Sequence, residues 1–488
     1  MNITKFSQAN GKDSISTLNF TDDQQKAYIE LLNFIASEYD AKDCKRALVG
    51  PAGTGKTYLV KALIKNCNLS YSVIGLAAPT HKACRVLQES ISLPNIKVNT
   101  LQSDLGLRLN FNVEKFDIAH PPFDPKGRIK IDDYRLYIVD EASMINRGLC
   151  TFLEKTCKTH KCKIIYIGDD SQLAPVGEKY SSSLRGIKTY KLSKIVRQED
   201  DNPIRYLLEL LRYDIKHKTF KFLEYISKVP EKFDEGYTKG YRVCNTQAFN
   251  NTVYTNFNDG QITTNVDYCK IIAYTNLCVA GWNNFVRNAI IADANKAIIT
   301  KNDLFISYVT LVDSFNQPII KNSEEYIVHE IVNYVHPKYD LKGFMVKFQA
   351  IHGGAITSPL FVLNHVDPFT IQQYVKISDK LIDDAKKANS YVRSEHWKTY
   401  FQFKESCLLL TNIGTRDGQV LYSRDLDYGF ALTSHKSQGS TFDTVFVDVM
   451  DIVYDKNGRP YTDCEEINRR LYVACSRAKN KLYLKYGR

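Results

Sequence analysis

No uninterrupted apolar run in this 488-residue chain is long enough to cross a bilayer, so no membrane-spanning role is expected. The first residues, Met1-Asn2-Ile3-Thr4-Lys5-Phe6, lack the basic-then-apolar pattern of a secretory signal, and a cytoplasmic location is expected. Low-complexity tracts are absent. The twelve cysteines include no CxxC pair, which removes the common zinc and thiol–disulfide motifs. Cys157, His160 and Cys162 come nearest to a ligand cluster but match no standard zinc spacing, so buried reduced thiols are the better reading. No constellation of clustered carboxylates suggests a nuclease. The net charge of +11 permits a polyanionic partner without demonstrating one, and the Asn, Lys, Ile and Tyr usage fits an AT-rich genome. At this length two to four domains are expected.

What is present is concentrated in one loop. Gly50-Pro51-Ala52-Gly53-Thr54-Gly55-Lys56-Thr57 fills every fixed position of a phosphate-binding loop. Ala47-Leu48-Val49 before it reads as a strand and Tyr58 to Ile64 after it as a helix. Such a loop turns backbone N–H groups and a helix N-terminus onto the phosphates of a nucleotide. Lys56 is placed for the β- and γ-phosphates, and the Thr57 hydroxyl for Mg²⁺. The sequence therefore implies a nucleoside triphosphate site, with ATP and Mg²⁺ as the expected cofactors.

The first part of the chain alternates apolar runs with helical patterns, as a parallel α/β sheet does. Leu136 to Val139 is a buried strand that ends in Asp140-Glu141. Asp140 is placed to hold Mg²⁺ through water, and Glu141 to orient or deprotonate the attacking water. Standing alone, two acids at a strand end are usually a solvated turn. After a matched phosphate loop, the catalytic reading is the stronger one.

A further strand, Ile164 to Ile167, runs into Gly168-Asp169-Asp170-Ser171-Gln172-Leu173-Ala174-Pro175-Val176. This segment resembles the third motif of superfamily 1 helicases, and its Gln-Leu-x-Pro-Val ending resembles the RecD-like branch, superfamily 1B. The resemblance implies that Gln172 senses the γ-phosphate. Phe20-Thr21-Asp22-Asp23-Gln24 is similar to the family's adenine-reading motif, which assigns Gln24 to the base edge; Thr21 also reads as a helix N-cap. Pro79-Thr80-His81 and Thr100-Leu101-Gln102-Ser103 resemble two strand-binding motifs, with Gln102 where the family has histidine. Leu192-Ser193 with Val196-Arg197-Gln198, and Leu471 to Ala478, resemble the motifs that supply two arginine fingers, Arg197 and Arg477. A guanidinium suits that role because it stays charged and forks onto phosphate oxygens. Ala431 to Thr441 resembles the fifth motif, which places Ser434 and His435 on the strand and Gln438 and Gly439 near the nucleotide. Thr275 and Asn276 belong to the same strand grip, with Asn283 and Arg287 following on a helix.

The resemblance implies an α/β fold with two RecA-like parallel-sheet motor domains. The first would comprise 1–103 and 134–189, the second 190–300 and 419–488. A pin hairpin at 104–133 corresponds to that of Dda-type phage helicases, with Phe116 as the preferred strand-separating aromatic and Phe123 in reserve; equally, either ring packs the hairpin onto the motor. An SH3-like β-rich insertion carrying a helical segment would fill 301–418, with Asn322-Ser323 where the family has Asn-Gly.

The activity so implied is an ATP-dependent DNA helicase moving 5′ to 3′ on single-stranded DNA in phage replication, recombination or repair, with the infected host cytoplasm as its location. Its expected partners are single-stranded DNA, duplex junctions and single-strand-binding or other replication proteins, and the motor is expected to be monomeric. Two alternatives stay open: a translocase or RNA-directed helicase with the same motor, and a nucleotide-gated binding subunit. The presence of Lys56, Asp140, Glu141, Gln172 and Arg477 speaks against the last.

Overall fold

A capping box starts the first helix, Asp22–Ala36. The Gln24 amide N–H donates to the Thr21 hydroxyl, and the Thr21 N–H donates to Gln24 Oε1 at 2.9 Å. The computed structural model describes residues 19–93, 95–109, 123–125, 127–194, 202–263, 265–313, 317–416 and 419–487. Phe116 and Arg197 therefore lie outside the described residues.

The first domain is a parallel sheet of β1 (Lys45–Val49), β2 (Ile74–Ala78), β3 (Val98–Thr100), β6 (Leu136–Val139), β7 (Lys163–Gly168) and β8 (Lys188–Lys191). Between β3 and β6 the chain makes a separate antiparallel pair, β4 (Leu107–Leu109) and β5 (Phe123–Pro125), at the place expected for the pin. The sheet order is β3-β2-β6-β7-β1-β8. β1, β2, β6 and β7 are buried almost throughout and read as continuous apolar runs, as strands covered on both faces do. Their carboxyl ends share one edge, because Val49 pairs with Gly168 and Tyr166 with Val139. In such sheets this edge is where ligands bind.

The second domain repeats the plan. It opens with β9 (Glu231–Phe233), β10 (Gly240–Cys244) and β11 (Cys269–Ala273). After the helix Asn276–Ile290 the chain leaves this sheet for an insertion. The insertion holds β12 (Leu304–Ser307), the pair β13 (Leu311–Val312) and β14 (Pro318–Ile320), the long hairpin β15 (Glu325–His336) and β16 (Leu341–Ala350), and β17 (Leu360–Leu363). Helices Pro368–Lys387 and Arg393–Ser406 then pack together over Tyr374, Trp397, Tyr400 and Phe403, before the pair β18 (Ile413–Arg416) and β19 (Gln419–Tyr422) and the strand β20 (Leu426–Tyr428). β21 (Ala431–Thr433), β22 (Phe442–Asp448) and β23 (Ala478–Lys485) complete the second sheet in the order β21-β11-β22-β23-β10-β9. Only the edge strand β9 runs antiparallel to its neighbour. These are two RecA-like α/β domains.

The insertion sheet has the order β17-β16-β15-β12-β20, so its last strand falls beyond the boundary expected at 418. The reason is that β20 pairs with β12, the strand that opened the insertion, and so closes it at Tyr428. Similarly, β8 carries the first sheet to Lys191 rather than 189. Asn322-Ser323 forms the tight turn between β14 and β15, with Ser323 at φ 67°, the left-handed conformation that the family's glycine would adopt freely. Among the described residues the twelve cysteines form no disulfide, and ten of them are buried.

One carboxylate ties these parts together. Glu325, at the start of β15, is 2% exposed and bonds Lys270 Nζ of β11 at 2.7 Å and Lys82 Nζ of the first-domain helix His81–Ile91 at 3.2 Å. Burial alone would raise its pKa, but the two ammonium groups outweigh that and hold it at about 2. Next to it, Glu324 pairs with Arg85 of the same first-domain helix. Glu325→Gln leaves two buried ammonium groups without their carboxylate, and chemical denaturation at pH 7 should show a loss of about 3–5 kcal/mol. A depressed carboxylate pKa contributes stability above its unfolded value and loses it as pH falls through the folded value. The gap between the parent protein and E325Q should therefore close as pH is lowered from about 4.5 towards 2; a gap that persists unchanged at low pH would refute the ion-pair account.

Candidate active site

The phosphate-loop sequence leaves β1 at the shared carboxyl edge and enters the helix Lys56–Asn66. Gly55 caps that helix at φ 74°, in the left-handed region. A Cβ at Gly50 would lie 2.6 Å from the Leu192 carbonyl oxygen, so the loop can close against that segment only with glycine there. Lys56 Nζ donates to the carbonyls of Gly50 and Pro51, at 2.6 and 2.9 Å, and Thr54 Oγ1 to Pro51 O at 2.9 Å. Gln24 is only 1% exposed. Its Oε1 accepts from Thr21 N, and its Nε2 donates to Thr54 O at 2.8 Å. In this conformation its amide braces the loop instead of presenting an edge to a base. Its neighbour Asp23 accepts from the N–H groups of Ser193 and Lys194, at 2.6 and 3.2 Å, which fixes the segment leading towards Arg197. Burial would raise the Asp23 pKa, but these bonds and one from Thr21 hold it well below the usual carboxylate range.

Three carboxylates gather at the same edge. Asp140 follows β6 and accepts from Glu141 N at 2.9 Å. Glu141 sits at φ 49°, a strained conformation for a side-chain-bearing residue that turns the chain sharply after the strand. Burial and the adjacent Asp140 push its pKa to about 7, against the pull of Arg477 and Lys56. Burial also raises Asp140 and Asp169, each with Lys56 opposing. Three acids, Asp169 buried and Asp140 and Glu141 partly so, outnumber Lys56 and Arg477 and leave the group short of positive charge. That donor set, beside a helix N-terminus and the Thr57 hydroxyl, fits a triphosphate with its divalent cation.

The opposite wall comes from the second domain, chiefly from the helix Cys464–Cys475. Tyr472 OH donates to Asp169 Oδ2 at 2.7 Å, and Arg469 Nη1 donates to the carbonyls of Asp170 and Gln172, at 2.6 and 2.8 Å. Gln438 Nε2 lies 3.4 Å from Gln172 Oε1 and 3.3 Å from Leu173 O, so two predicted nucleotide sensors meet across the interface. Arg477 is buried and held by Val473 O, Ser440 O and the Ser476 hydroxyl. Burial lowers its pKa, while Glu141, Tyr472 and Asp169 act in the opposite direction. A Cβ built on Gly439 would lie 4.0 Å from Glu141 Oε1, so this glycine faces the same carboxylate. Lys56, Asp140, Glu141, Gln172, Gln438, Gly439 and Arg477 thus surround one cleft. Arg469 and Tyr472 were not singled out from the sequence, although Tyr472 lies within the matched final motif and Arg469 two residues before it.

The predicted strand contacts share one local design. Thr80 and Thr275 follow a strand and Thr100 ends one, and each caps the next helix, accepting from Ala83 N, Ser103 N and Cys278 N at 3.2, 3.3 and 3.1 Å. The threonine that marks each motif thus also opens a helix N-terminus, whose free N–H groups favour phosphate oxygens. Asp451 braces Thr275 further by accepting from its hydroxyl at 2.7 Å and its N–H at 2.8 Å. Ser434 corrects the sequence expectation: it is fully buried and its hydroxyl donates to Ala273 O, so it positions the loop and offers no surface to a strand. His81 and His435 are partly buried, and burial lowers both pKa values, helped by Lys321 and Arg470 respectively. A cavity of about 710 Å³ opens beside His81, between its helix and the insertion, where Arg85, Lys321, Tyr326 and His352 line it.

Residues 21–232 match the family described as "AAA domain" and residues 428–485 the "UvrD-like helicase C-terminal domain". The chain is 23% identical to uncharacterized protein R530 of Acanthamoeba polyphaga mimivirus, over 89% of this chain and 94% of that protein. It is 32% identical to the ATP-dependent DNA helicase dda of Enterobacteria phage T4, over 32% of this chain and 33% of that protein, so the aligned stretch spans about a third of the helicase. The structure overlaps that of Bacteroides Pif1 bound to ssDNA with a TM-score of 0.49 at 16% identity, covering 96% of this chain and 92% of that one. The two domain matches and the helicase relative together liken the chain to the helicases of superfamily 1B, on their Dda/RecD-like branch.

Two substitutions test the cleft. Lys56→Ala should abolish ATP hydrolysis; parental turnover in that variant would show that the loop holds no phosphate. Arg477→Ala should retain nucleotide binding while slowing hydrolysis by about 10³-fold or more, as loss of an arginine finger does. A weakened nucleotide affinity with unchanged maximal rate would instead make Arg477 a binding residue.

Proposed function

We propose that this chain is an ATP-driven motor that moves 5′ to 3′ along single-stranded DNA and separates duplex ahead of it. The observation that carries this reading is the helix Cys464–Cys475 and its following Arg477, which reach from the second domain to Asp169, Gln172 and the Glu141 side of the first. A γ-phosphate held by Lys56 in the first domain would draw Arg477 and Gln438 onto it, and hydrolysis would release them. Asp140 and Thr57 would hold a divalent cation, which would supply charge neutralisation on the phosphates, and Glu141 would take the proton of the attacking water. Arg197 serves as the second finger. Opening and closing of the cleft changes the spacing between two strand grips, Pro79, Thr80, His81, Thr100 and Ser103 on one domain and Thr275, Asn276 and His435 on the other. The hairpin of β4 and β5, with Phe116 between the two strands in sequence, is the strand-separating pin. Polarity follows the branch that the chain resembles. DNA, rather than RNA, is the substrate class on the same ground, and the working unit is a monomer in an infected host cell.

Duplexes carrying either a 5′ or a 3′ single-stranded tail test this directly. ATP-dependent unwinding of the 5′-tailed duplex alone is the expected result. Unwinding from the 3′ tail would overturn the polarity. DNA-stimulated hydrolysis without unwinding of either would make the protein a translocase, and stimulation by RNA strands alone would reassign the substrate.

A further inference from the structure

Lys436 follows His435 in the loop after β21, and its ammonium is only partly exposed. Nζ donates to Asn322 Oδ1 at 3.0 Å and to Ser307 O at 3.3 Å, and lies 4.2 Å from the centre of the Tyr308 ring. Every one of these partners is neutral. Among the described residues no carboxylate forms an ion pair with it; the charges that bear on it are cations, Arg424 and Lys82, which together with burial lower its pKa to about 8. Arg424 approaches the same ring, 4.9 Å from its centre, and Nη2 donates to Asn276 Oδ1 at 3.0 Å and to Tyr308 OH at 3.2 Å. Asp427 pairs with Arg424 Nη1 at 2.8 Å, so the carboxylate in the cluster is already committed.

A partly buried cation among like charges is costly unless an anion completes the site. The rim of this cluster is open, because Asn276 and Asn322 are exposed. Its position is equally informative: Lys436 adjoins His435 and Asn276 adjoins Thr275, while Lys321, beside Asn322, faces His81 on the first domain. The cluster therefore continues the line of strand grips on both domains.

We propose that Lys436, Arg424 and Asn322 form a seat for one phosphodiester of a bound nucleic-acid strand, with the Tyr308 ring as its floor. The proposal rests on the motor reading above and adds to it a contact from the insertion. Arg424 lies between β19 and β20, so the seat joins the insertion to the second motor domain at the strand itself. A guanidinium and an ammonium held by a common ring suit a tetrahedral anion approached from one side.

Equilibrium binding of fluorescent oligo(dT) across a chloride series tests the seat. For single strands the slope of log K against log salt changes by about 0.7 per phosphate contact. Lys436→Gln and Arg424→Gln should each reduce the slope by about that amount. Arg424→Lys, which keeps the charge, and Lys155→Gln, on the exposed face of the helix Arg147–Thr159, should both leave it unchanged. Parental slopes in both glutamine variants would overturn the seat while leaving the motor reading intact. A loss of slope in K155Q equal to that in K436Q would also overturn it, since net charge alone would then explain the effect. If inorganic phosphate displaces the strand where chloride of equal ionic strength does not, the cluster is a free-anion site and the proposal fails. An unvaried protein that shows no salt-dependent strand binding would sink the motor reading beneath it.

Discussion

The three-way ion pair at Glu325 is the constraint on which the rest of the arrangement depends. A carboxylate this deeply buried is tolerable only because two ammonium groups from two different domains reach it. The converse also holds: Lys270 is fully buried and Lys82 nearly so, and Glu325 supplies a carboxylate to both. The insertion, the first motor sheet and the second are thereby held in one mutual position by charge balance, in addition to apolar packing. Phe442 lies under both lysines, 5.2 and 5.3 Å from their ammonium groups, and excludes water from the pair.

The helix Cys464–Cys475 works at the other end of the same interface. Successive residues on it face different tasks: Arg469 takes two carbonyls of the first domain, Arg470 lies 3.5 Å from the centre of the Tyr274 ring near the second-domain strand grip, and Tyr472 takes Asp169. A rigid element with three such contacts links the proposed nucleotide cleft to the proposed strand side without an intervening loop. Its rigidity has a physical basis, since Ile467, Leu471, Ala474 and Cys475 are packed into the second-domain core.

Much of this was legible in the sequence, because the phosphate loop, Asp140-Glu141 and the final motif are contiguous runs whose chemistry depends on neighbours only a few residues away. The first sheet followed from apolar runs alternating with helical patterns, and the second from the family resemblance. What escaped depends on distant partners. Glu325 meets Lys82 across 243 positions and Lys270 across 55, and a lone glutamate in a β-rich insertion carries no local sign of either. Gln24 and Ser434 sat correctly in their motifs, yet their side chains are spent on Thr54 O and Ala273 O, which only the tertiary structure reveals. The end of the insertion was misplaced because β18, β19 and β20 are three short strands with no turn signal strong enough to separate them from β21.

The turn between β14 and β15 concentrates an unusual share of the molecule's communication. Within Lys321–Glu325, one residue faces His81, the next bonds Lys436, Glu324 takes Arg85 and Glu325 takes two lysines, all around a serine held in a left-handed conformation. The chain has placed the wiring between three domains in five consecutive residues. A single protease nick or inserted residue there would sever every one of those links at once. The same lesion at the tip of the β15–β16 hairpin, around Pro337–Tyr339, would leave them all intact.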